Sequence, residues 1–143
     1  MNDNIDKKVV TFLAEHHLMT LATTRDNIPH TANLFYHFDL ESLCFIFTSQ
    51  EETKHVKDVL KNNTVAMNVA LETKNVAKIQ GLQMTGHMRH PEGDDLKNMK
   101  KLYLKAVPLA VVMDLDIWVI DLDSYKFTDN TLGFGKKLLW NRG

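Results

Sequence analysis

The residues of this chain best placed to do chemistry together lie between positions 48 and 54. Thr48 and Ser49 close an apolar run, and Thr53 and Lys54 follow at what the pattern makes the start of a helix. Hydroxyls, helix N-terminal N–H groups and a cation are together what holds a dianionic phosphate. A lysine in a first helical turn gains nothing from the helix dipole, whose near end is already positive. An anion held between Lys54 and that end would explain the placement. A plain capped surface helix with a solvated lysine explains the same residues. Glu51 and Glu52 would weaken a phosphate unless they point away.

Other chemistries find less support. The seven histidines lack zinc-site spacing: His16 and His17 are adjacent, and His87 and His90 fall on opposite faces of a strand. There is no G-x-S-x-G and no Cys/His pair for nucleophilic catalysis. The single cysteine, Cys44, sits among Leu43, Phe45, Ile46 and Phe47 and reads as an inert core thiol. Asp114, Asp116, Asp121 and Asp123 alternate with apolar residues, as on the solvent face of a strand.

These groups must be positioned by 143 residues, 44% of them hydrophobic, with a formal net charge of -1. That length makes one domain, residues 1–143, able to build a core without disulfides. The charge gives no global field for nucleic acid or an anionic membrane. The polar N-terminus has no signal-peptide core, and no run nears the roughly 18 apolar residues that span a bilayer. A reducing cytoplasm is the expected compartment.

Ile5, Val9, Phe12, Leu13 and His16 have helical spacing, with Asp3 or Asn4 as cap. Strands are expected over Leu18–Thr24, His30–Phe38 and Leu43–Thr48, the first two joined by a turn at Arg25-Asp26-Asn27. Ser49-Gln50-Glu51-Glu52 has the form of a capping box, so a helix follows with Val56, Val59 and Leu60 inward. Thr64–Leu71 and Val76–Arg89 are two further strands, the second carrying Gly81 and Gly86 as signs of a bulge or close approach. Asp94 caps a third helix that Pro108 limits. Leu109–Met113 is unassigned. Ile117–Leu122 is a sixth strand running toward Phe127. The order α-βββ-α-ββ-α-β, with short links, gives a mainly β fold with flanking helices: an antiparallel six-stranded sheet closed into a barrel.

Three stretches resemble a known family. FIFTSQEETKHVKDVLKNNTVAMNV (Phe45 to Val69) is similar to the core signature of the pyridoxamine 5′-phosphate oxidase-like FMN-binding split barrels. IQGLQMTGHM resembles their paired strand. The tail KFTDNTLGFGKKLLWNR resembles the uncharacterised YhbP-like branch. The resemblance implies a split barrel and a homodimer with two FMN sites at the subunit interface. It makes Thr48, Ser49, Thr53 and Lys54 the phosphate end, with Gln80, Gln83 and Asn33 as candidates for the polar edge of the flavin ring. Gln80 and Gln83 face opposite sides unless Gly81 supplies a bulge. The tail offers Lys126, Asn130, Lys136, Lys137, Trp140 and Arg142. Its Gly133-x-Gly135 beside two lysines could cradle a second anion, or the tail could wrap a partner subunit with Trp140 as anchor. The expected function is a flavin-dependent oxidoreductase acting on a small molecule. Its rival is a non-catalytic flavin- or haem-binding or interaction protein. The tail does not show the substrate-binding Arg and His pattern of pyridoxamine 5′-phosphate oxidase itself.

Overall fold

The computed structural model describes residues 5–143. Helix α1 (Lys7–Glu15) buries Val9, Phe12 and Leu13, and Asp6 caps it by accepting from the Lys8 N–H. The caps expected at Asp3 or Asn4 lie outside the described residues. Strands β1 (Leu18–Arg25) and β2 (Ile28–Phe35) form a hairpin. Asp26 and Asn27 both have positive φ, 54° and 63°, the conformation of a two-residue turn that matches strand twist.

The strand expected over His30–Phe38 is two strands. It breaks at Tyr36, whose N–H donates to the His17 carbonyl and whose hydroxyl donates to the Leu13 carbonyl at 2.8 Å. Beyond it lie β3 (His37–Asp39) and β4 (Cys44–Thr48), the latter buried on both faces. Helix α2 (Lys54–Val59) starts later than the capping box implies. Its cap is Thr53, which accepts from the Val56 N–H. Ser49 instead continues β4: its N–H donates to the Asp116 carbonyl and its hydroxyl is engaged by His55.

Strand β5 (Thr64–Ala70) turns Val65, Met67 and Val69 inward. Val76–Lys78 is a 3₁₀ turn, so β6 spans only Gln80–Arg89. Helix α3 (Gly93–Ala106) has Glu92 at its cap position; Asp94 lies inside its first turn. Pro108–Val112 forms a 3₁₀ turn. Strand β7 (Ile117–Asp129) is long, and the Gly-rich tail makes one more strand, β8 (Lys137–Asn141).

The sheet therefore has eight strands, not six, in the order β2-β1-β5-β6-β7-β4-β3, with β8 beside β7. These neighbouring strands all pair antiparallel. Its two edges, β2 and β3, are consecutive in the chain and separated only by Tyr36, so the sheet must curl until its edges meet at one end. The result is a curled half-barrel flanked by helices. Inside lies the larger core, with Phe45, Phe47, Leu82, Ile120 and Phe127. Outside β4 and β7, helix α3 packs Met99 and Tyr103 on Cys44, Ile46, Ile117 and Val119.

Gly86 marks a bulge. The β6–β7 register shifts between Thr85 and Gly86, and a Cβ on Gly86 would lie 2.5 Å from the Asp121 carbonyl oxygen. At Gly81 the register runs without a break. One edge of β7 is divided: β4 pairs with Ile117–Asp121 and β8 with Ser124–Thr128. Arg142 closes the junction, donating to the Leu122 carbonyl at 2.7 Å and the Leu43 carbonyl at 3.2 Å.

Candidate functional site

The side chains near the start of α2 gather around Asp58, one helical turn beyond Lys54. Asp58 is fully buried, yet it carries a carboxylate. Lys54, one helical turn earlier, donates to both of its oxygens at 2.8 and 3.1 Å. Thr23 of β1 donates its hydroxyl at 2.9 Å. The Arg25 guanidinium stands 3.6 Å away. The Lys54 hydrogen bond, aided by Thr23 and the charge of Arg25, holds the Asp58 carboxyl below its ordinary range against the opposing effect of burial. One carboxylate and two cations leave the group with a net positive charge.

Beside it, Ser49 Oγ lies 2.7 Å from His55 Nε2, and both residues are over nine-tenths buried. Burial, reinforced by nearby His30 and opposed by Asp58, lowers the His55 pKa. Thr53 donates to the Gln50 carbonyl and caps the helix. Thr48 lies next along β4, on the same side as Cys44 and Ile46, which pack on Tyr103 of α3. The fold thus gathers Ser49, Thr53 and Lys54 but turns Thr48 toward the outer core. The hydroxyls of Ser49 and Thr53 are spent on internal bonds; the groups left facing solvent are cations.

The ring-edge candidates separate. Gln80 points inward and donates to Asp129 at 3.1 Å. That bond and those from Thr131 outweigh burial and hold the Asp129 carboxyl low. Gln83 is exposed on the outer face. The parity expected without a bulge at Gly81 is what the register gives. Gln83 belongs to a row crossing the sheet through the pairs Asn33–Thr20, Thr20–Asn68, Asn68–Gln83 and Gln83–Lys126. Thr20 donates to Asn33 at 3.1 Å. The row borders a shallow depression of about 380 Å³ floored by Ala22 and Ala66. Asn68 could have been found from the alternation of β5, which puts it opposite Met67 and Val69. Ala22, in the depression, and Thr23, on Asp58, are consecutive in β1 and point to opposite faces. Within one chain, Asn33 and Gln83 are therefore not brought onto the same face as the Asp58 cluster.

The tail serves the sheet. Trp140 stacks on Tyr125, ring centroids 5.7 Å apart, and packs against the inner core, so the side chain offered as an anchor for a partner is engaged at home. The Gly135 N–H donates to the Asn130 side chain. Lys136 and Lys137 are exposed. Cys44 is buried, with its thiol pushed up to about 12 by burial. Among the described residues no three His, Cys, Asp or Glu side chains are placed to hold a metal ion, and no helix is long and apolar enough to cross a membrane.

A curled antiparallel half-barrel flanked by helices is an arrangement shared with known proteins. The family model of pyridoxamine 5′-phosphate oxidase matches residues 5–127. The UPF0306 protein YhbP of Escherichia coli is 38% identical over 132 residues, covering 92% of this chain and 90% of the relative. Among solved structures, a heme binding protein from Mycobacterium smegmatis superposes with a TM-score of 0.77 at 17% identity, covering 99% of this chain and 59% of that one. The FAD binding protein from the same organism gives 0.64 at 16% identity, covering 87% and 95%. The chain belongs to the pyridoxamine 5′-phosphate oxidase-like split-barrel family. Within it, it is a member of the UPF0306 (YhbP) branch.

Proposed function

We propose that this chain is an FMN-binding protein, working as a homodimer and as a flavin-dependent oxidoreductase on a small molecule. The observation that carries the reading is the Asp58 cluster: a positively charged group built on a buried carboxylate, with its cations turned to solvent beside the start of α2. Such a group fits a phosphate. The outer depression fits the ring, with small residues for a floor and the amides of Asn68, Gln83 and Asn33 for a polar edge. When bound, FMN would supply hydride or electron transfer, and the chain would bind, orient and shield it. Lys54 would hold the phosphate, and Asn33 and Gln83 would orient the ring. The separation of the two features on opposite faces of β1 supports sites completed between two subunits. The flavoprotein among the structural neighbours supports the same cofactor class.

The test is direct. Purified protein should bind added FMN, a nicotinamide cofactor should bleach it, and a small-molecule acceptor should restore the colour. Protein that ignores FMN under all conditions would falsify the reading.

A second reading has one observation behind it. A cavity of about 360 Å³ lies between α1, Tyr36 and the end of α3, lined by apolar side chains and by His16, His17 and His37. His16 Nδ1 bonds the Phe12 carbonyl at 2.7 Å, which leaves Nε2 with the lone pair that an iron would need. That arrangement supports this second reading, haem binding without turnover. A Soret band that appears on haem titration and disappears in His16→Ala would establish it.

A further inference from the structure

We infer that Arg25 is the second cation of the anion-binding end, and that Asp58 holds Arg25 and Lys54 as a pair whose outward N–H groups grip the phosphate of FMN; this rests on the flavin reading above.

Charge balance alone does not call for Arg25. Lys54 neutralises Asp58 and donates to both of its oxygens, and Thr23 adds a further bond. The Arg25 Nε, at 3.6 Å, lies beyond hydrogen-bond range, so Asp58 orients the guanidinium without consuming its donors. Neither terminal nitrogen of Arg25 donates a hydrogen bond among the described residues. Arg25 and Lys54 are 39% and 45% exposed, while the carboxylate between them is at 0%. Lys54 is thus pinned by two hydrogen bonds and Arg25 is drawn to the same carboxylate, with the outer sides of both open, which favours preorganised binding. A guanidinium adds a planar fork that matches two phosphate oxygens, whereas an ammonium acts as a point charge. Glu51 and Glu52 form no ion pair with either cation among the described residues. Arg25 ends β1 at a two-residue turn, so its backbone is fixed by the hairpin and its position does not depend on the ligand.

The experiment compares FMN with riboflavin, which lacks the phosphate, by fluorescence quenching on the full chain. Wild type should prefer FMN, and Arg25→Gln should cut FMN affinity about 10- to 30-fold, the scale of one charge-assisted bidentate contact, with riboflavin affinity unchanged. Arg25→Lys keeps the charge beside Asp58 and so guards against a folding defect; it should lose about 3- to 5-fold, because the fork is gone. An exposed lysine on α3, Lys101→Gln, should change nothing. If Arg25→Gln keeps the full preference for FMN, or if wild type binds riboflavin and FMN equally, the clamp is wrong while flavin binding stands. If wild type binds neither, both fall together.

Discussion

Thr23 donates its hydroxyl to Asp58 at 2.9 Å across 35 residues of chain. That bond ties α2 to the inner side of β1, and it lets a short helix keep a carboxylate out of water. Asp58→Ala would strand the Thr23 hydroxyl and release both cations. The expected loss is about 2 kcal/mol of folding stability, the scale of a hydrogen-bonded charge, read as a lower urea midpoint at unchanged slope. A midpoint equal to wild type would show that the cluster contributes nothing to folding.

Acid should weaken the fold in two windows. Burial lowers the pKa of both His55 and His37, so as pH falls the unfolded chain takes up protons before the folded one. Stability from these groups is full above the unfolded value of about 6.5 and declines below it, through the lowered folded values. Asp58 and Asp129, also held low, add a second loss that starts below about pH 4. His55→Gln should flatten the slope between about pH 7.5 and 5.5 in urea titrations. An unchanged slope would remove His55 from the account.

The two strand glycines should behave differently. Gly86→Ala places a methyl 2.5 Å from the Asp121 oxygen and 2.7 Å from the Ile120 side chain. Overpacking of that kind costs about 1–3 kcal/mol or more. At Gly81 the nearest atom would be 3.7 Å away, so Gly81→Ala should fall within about 0.5 kcal/mol of wild type. Thermal melts of both variants decide it; equal losses would contradict the bulge geometry.

The outer face of β2, β1, β5 and β6 carries small and polar side chains at Ala22, Thr31, Ala66 and Thr85. If two chains associate across it, Ala66→Arg buries an unpaired charge and should weaken the dimer by about 30-fold or more, roughly 2 kcal/mol. Sedimentation measures this. A wild-type chain that remains monomeric at every concentration would sink the homodimer.

Much of this fold could be read locally. The Asp26-Asn27 turn announces its hairpin, and the alternation of Val65, Met67 and Val69 announces β5. What failed was local evidence overruled by distant partners. Ser49-x-x-Glu52 looks like a cap, but His55 claims the serine. His30–Phe38 alternates without a break, but Tyr36 is drawn toward α1. The tail hides β8 behind glycines and lysines because its pairing with β7 is not encoded in its own composition. Of the candidate site, Lys54 stood out and Asp58 did not, although its spacing from Lys54 is that of a helical ion pair and it interrupts the apolar stripe of Val56 and Val59. Arg25 was hidden by its place in a turn, where arginine is unremarked.

The divided edge of β7 has a consequence for solubility in the colloidal sense. Take away β8 and the backbone from Ser124 to Thr128 becomes a bare row of donors and acceptors, beside a Tyr125 ring stripped of its stacked indole. Such a row is a template on which another chain can add a strand, and then another. The Gly-rich tail is thus a cover as well as a strand: with Arg142 latched at the junction, it pairs the donors and acceptors that this row would otherwise present.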